Sequence, residues 1–71
     1  MPNPLWLLRD PSGRVIGASA NGAQHAVNDA WRFCLIPDDL PRRFDSVIKA
    51  NPTASTYTVD GYTLARKEMD G

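Results

Sequence analysis

The sequence predicts a small α+β domain in the order ββααββ: a single antiparallel sheet of about four strands, made of two hairpins, with two helices packed on one face. Three observations predict it. Asp10-Pro11-Ser12-Gly13 stands between two short runs of strand-forming residues, Asp60-Gly61 stands between two more, and the segment between these hairpins repeats its apolar residues every three to four positions. At 71 residues the chain has room for one domain, spanning 1–71. Strands are expected at about 5–9, 14–19, 55–59 and 62–67, helices at about 22–34 and 39–50, and a frayed tail at 68–71.

The first strand carries Leu5, Trp6, Leu7 and Leu8 in succession, so it is apolar on both faces. In the turn that follows, Asp10 can accept bonds from backbone amides ahead of it, Pro11 presets φ, and Gly13 supplies a left-handed residue that closes a short loop with a bulge. The chain returns through Val15 and Ile16, and Gly17 marks a bulge or a close approach by another backbone.

From Asn21 the period changes. Ala23, Ala26, Val27, Ala30, Trp31 and Cys34 fall within one arc at 100° per residue, with Asn21 as N-cap and Gln24 completing a capping box. The alanines let this helix sit close to its support, Trp31 and Phe33 supply bulk, and Cys34 is expected to be a small buried hydrophobe. A second helix starts at Asp38 or Asp39, tolerates Pro41 in its first turn, buries Leu40, Phe44, Val47 and Ile48, and stops where Asn51 takes a left-handed position before Pro52. The last hairpin carries a two-residue type I′ turn that pairs Val59 with Tyr62, Thr58 with Thr63 and Tyr57 with Leu64. One of its faces is then apolar. The opposite face of the sheet shows Thr56, Thr58, Thr63 and Lys67.

Composition excludes several chemistries. With Cys34 and His25 as its only cysteine and histidine, the chain can form neither an intrachain disulfide nor a four-ligand zinc site. No apolar run is long enough for a signal core or a membrane span, so an intracellular, cytoplasmic chain without membrane contact is expected. Glycines are too scattered to cradle a phosphate, and no calcium loop or dinucleotide fingerprint occurs, so no cofactor is expected. His25 and Asp29 stand one helical turn apart but lack a nucleophile, and Asp38, Asp39 and Asp45 are better explained by capping than by a metal. The expectation is a chain that is not an enzyme.

Two surfaces are candidates for binding. Trp6, Leu8 and Ile16 mark a protein interface if the doubly apolar first strand lies at a sheet edge, where it invites strand addition or pairing with a second copy of the chain. Arg42, Arg43, Ser46 and Lys49 form a basic stripe on the second helix, with Arg66 and Lys67 as neighbours from the last strand, and could meet nucleic-acid phosphates. Against this, eight basic residues balance eight acidic ones over the whole chain.

The hairpin from Leu5 to Ile16 with its Arg9-Asp10-Pro11-Ser12-Gly13 turn, followed by a helix, resembles the arm-site DNA-binding domains of phage-type integrases. Those domains have a strongly basic surface, which this sequence does not offer, so no residue role follows from the resemblance. The leading expectation is a protein-protein interaction module, an adaptor or inhibitor of a larger protein complex. Phage and mobile-element products such as anti-CRISPR proteins share its size, and size alone supports that comparison. The alternative is a small nucleic-acid-binding regulator using the basic helix face.

Overall fold

Turn chemistry sets both hairpins. Asp10 Oδ1 accepts the Ser12 hydroxyl at 2.6 Å, the Arg14 amide at 2.9 Å and the Ser12 amide at 3.0 Å, while Gly13 takes φ 92°. In the second hairpin Asp60 and Gly61 take φ 52° and 85°, the left-handed pair a type I′ turn demands.

The computed structural model describes residues 4–67, so the expected tail at 68–71 lies outside them. The elements are β1 (Leu5–Arg9), β2 (Val15–Ser19), α1 (Ala23–Arg32), α2 (Leu40–Ala50), β3 (Thr56–Val59) and β4 (Tyr62–Lys67), in the predicted ββααββ order. They build one four-stranded antiparallel sheet in the order β2-β1-β4-β3. The last hairpin has the predicted register, Val59 opposite Tyr62, Thr58 opposite Thr63 and Tyr57 opposite Leu64. In the first, the register shifts between Leu8 and Arg9, which makes the bulge expected in β2.

α1 packs over β2, β1 and β4, and α2 packs against α1 and β3. The core joins Leu8, Tyr57, Val59 and Leu64 from the covered face to Ala26, Val27 and Ala30 of α1, Leu40 and Phe44 of α2, and Ile36 between the helices. Val47 and Ile48 are half-buried at its margin.

Several local expectations are corrected. Gly22, at φ 140° and ψ 164°, occupies the α1 N-cap with no side-chain cap bond, and Ser19 Oγ accepts the Asn21 amide at 3.0 Å. Gln24 makes no capping box; its Nε2 donates to Pro41 O at 3.0 Å and Asn28 Oδ1 at 3.2 Å, tying α1 to the start of α2. Asp39 holds the α2 N-cap position by its backbone alone, while Asp38 accepts a bond from Trp31 instead. Asn51 has φ −147° rather than a left-handed value, within the extended range that the ring of Pro52 favours for the residue before it, and its carbonyl accepts the Tyr57 hydroxyl at 2.6 Å and the Ala54 amide at 3.2 Å.

The largest correction is at the end of α1, which stops at Arg32, two residues short of the expected end at 34. The Cys34 amide donates to Trp31 O at 2.9 Å and the Leu35 amide to Ala30 O at 3.0 Å, with Cys34 at φ 60°. This is a Schellman cap with cysteine in the left-handed position where glycine is usual. The reversal turns the end of the apolar arc outward, so Cys34 is exposed instead of buried.

Candidate functional site

Sheet order decides what β1 offers. It lies inside the sheet, hydrogen-bonded to β2 on one side and β4 on the other, so the expectation of an apolar edge strand is corrected: both its backbone edges are occupied. Leu8 has no exposed surface, Trp6 is half-buried and stacks on Tyr57 with ring centroids 5.9 Å apart, and Ile16 is half-buried against the core. What β1 leaves uncovered belongs to its other face. Leu5 and Leu7 stand there, with Ala18 and Ala65 beside Leu7 in register and Lys67 beside Leu5.

The basic stripe is largely neutralised. Arg43 makes a two-pronged pair with the Asp60 carboxylate, one arm at 3.1 Å, and lies 3.8 Å from Asp39. Lys49 pairs with Asp45 at 3.0 Å, and the Ser46 hydroxyl turns back to Arg42 O at 3.2 Å. Arg66 and Lys67 are successive strand residues and point to opposite faces of the sheet, Arg66 on the side of Trp6 and Lys67 on the side of Leu5, so they do not extend the stripe together. Of the cations on α2, Arg42 alone makes no ion pair among the described residues.

The residues with the most to offer a partner lie elsewhere, in the Schellman turn. Trp31 is 47% exposed, Leu35 49% and Phe33 71%. Sequence periodicity assigns Trp31 to the core because an apolar arc does not say where the support beneath it ends. A signal was present nonetheless: Phe33 falls off that arc, and Leu35 follows where the period breaks.

Beside this turn α1 and the start of α2 enclose an open groove of about 410 Å³, lined by Asn28, Trp31, Arg32, Asp38, Pro41 and Arg42. A smaller hollow of about 330 Å³ adjoins it and shares Trp31, Arg32 and Asp38, with Cys34 and Ile36 completing its wall. The indole is fixed between the two by its Nε1–H, which donates to Asp38 Oδ1 at 3.1 Å. Arg32 lies 3.9 Å from Asp29, the aspartate that sequence spacing offers to the exposed His25.

Among the described residues no group of three or more His, Cys, Asp or Glu side chains is placed to hold a metal ion, and no helix is long and apolar enough to cross a membrane. Comparison with protein-family models, with curated proteins and with solved structures finds no match to this chain.

Proposed function

We propose that the chain is a protein-interaction module without enzymatic chemistry, an adaptor or inhibitor of a larger protein assembly, and that it meets its partner through the turn from Trp31 to Leu35. One observation carries this reading: of the four exposed large hydrophobic residues among those described, Trp31, Phe33 and Leu35 lie within one turn, with Val15 apart from them. Burying such a cluster against a partner gains hydrophobic free energy that a solvated surface forgoes, and tryptophan is enriched among the residues that dominate binding energy. The cytoplasm is its proposed compartment, consistent with a single exposed cysteine.

The nucleic-acid reading draws less support, because the carboxylates of Asp60, Asp39 and Asp45 already engage Arg43 and Lys49. Capture from a nuclease-treated bacterial lysate by the tagged wild type and by Phe33→Asp tests the proposal. A protein retained by the wild type and lost with Phe33→Asp is the expected result. Equal capture by both removes the Trp31–Leu35 turn as the contact, and binding of duplex DNA that survives Phe33→Asp and falls steeply with salt favours the basic helix face.

A further inference from the structure

We infer that the groove beside Trp31 receives an acidic peptide segment of the partner, in which an aromatic or leucine side chain seats against the indole and a carboxylate pairs with Arg42. The inference rests on the interaction reading above and adds to it the chemistry of the partner. Six residues line the groove, and they bring two guanidiniums, Arg32 and Arg42, against the single carboxylate of Asp38. Asp38 Oδ1 already accepts the indole N–H.

Arg42 has no ion-pair partner among the described residues, and Arg32 has only Asp29 at 3.9 Å, so both retain donors for an incoming group. A guanidinium presents paired N–H donors in a plane that matches a carboxylate, which makes arginine suited to recognising acidic side chains at an interface. Pro41 and the indole supply apolar wall to the same groove. At about 410 Å³ the groove lies near the lower end of ligand-sized cavities, suited to one or two inserted side chains.

A nucleic-acid strand fits these features less well. A phosphate backbone needs a run of cations along its path, whereas the groove supplies only two arginines among its six lining residues.

Fluorescence polarisation with three probes tests the inference: a short labelled peptide with Leu and Phe among Asp and Glu, the same peptide with Lys and Arg in place of the acids, and a labelled single-stranded oligonucleotide. The acidic peptide is expected to bind the wild type, to bind about tenfold more weakly to Arg42→Glu, and to lose binding to the Arg32→Glu/Arg42→Glu double variant, which gains affinity for the basic peptide. Arg42→Gln is the milder second variant, and circular dichroism verifies the fold of each. Failure of the acidic peptide to bind, equal binding of the two peptides, or preference for the oligonucleotide overturns the inference. In the lysate experiment, capture that depends on Phe33 but ignores both arginine substitutions overturns the acidic segment and leaves the interaction reading standing; capture that ignores all three removes both.

Discussion

Gly17 of β2 and Ala26 of α1 approach so closely that a Cβ on Gly17 would run into the Ala26 carbonyl oxygen while lying 3.3 Å from the Ala30 Cβ. The small residues predicted on one arc of α1 are therefore matched by a missing side chain on the strand beneath. Because the obstacle is helix backbone and no flexible side-chain tip, Gly17→Ala must push α1 off the sheet. It is expected to cost about 2 kcal/mol, read as a lower urea midpoint with an unchanged slope. An unaltered midpoint would mean that the β2–α1 contact has slack.

The Schellman cap makes a second prediction. Cys34 holds φ 60°, where a β-carbon is unfavourable by about 1 to 2 kcal/mol, whereas glycine adopts it freely. Cys34→Gly should raise stability by about 0.5 to 1 kcal/mol after allowing for the extra freedom of glycine in the unfolded chain, and Cys34→Ala, which keeps the β-carbon, should not. Thermal melts of the two variants under reducing conditions separate backbone from thiol effects. Equal gains in both would assign the effect to the sulfur.

Acid should act on the first turn. The Ser12 hydroxyl, then the Arg14 amide, hold the Asp10 carboxyl below its ordinary value of 3.8. A carboxyl depressed in the folded state contributes stability that is present above that value and is lost as pH falls through the folded-state pKa. Melting temperatures of wild type and Asp10→Asn should differ by a constant amount at neutral pH and converge from about pH 4 downward. A gap that persists at the acid end would show that the carboxylate charge contributes nothing to the turn.

Leu8 and Phe33 should respond in opposite ways to substitution. Leu8→Ala opens a cavity beneath α1 and is expected to cost about 2 to 5 kcal/mol, so a polar residue there unfolds the chain before any binding assay can be read. Phe33→Asp alters a side chain that is 71% exposed and should shift stability by no more than about 0.5 kcal/mol. Denaturation of the two variants side by side checks the contrast. A large loss from Phe33→Asp would reassign that ring to the fold.

What could be read from the sequence was local. Asp60-Gly61 dictates its own turn, and the turn dictates the pairing of Tyr57 with Leu64, so the last hairpin followed from adjacent residues. The place of β1 between β2 and β4 did not, because the pairing of Trp6 with Arg66 joins opposite ends of the chain and leaves no local signature. Asn21 is chemically a good cap, but cap position depends on where Gly22 bends the backbone, which composition does not express. The candidate site was missed for the same kind of reason: Trp31 belongs to the apolar arc, but Cys34 reverses the chain before that arc finds cover.

The strand order also imposes a sequence of events in time. When β1, β2 and both helices have been synthesised, the side of β1 that will receive β4 is still bare, and it stays bare until the last hairpin emerges. A strand apolar on both faces thus waits as an open edge while most of the chain is made, the state in which such strands pair with the wrong neighbour. Completion of β4 closes that edge, so truncation before Tyr62 leaves a chain that has α1 and α2 but no seal on its sheet.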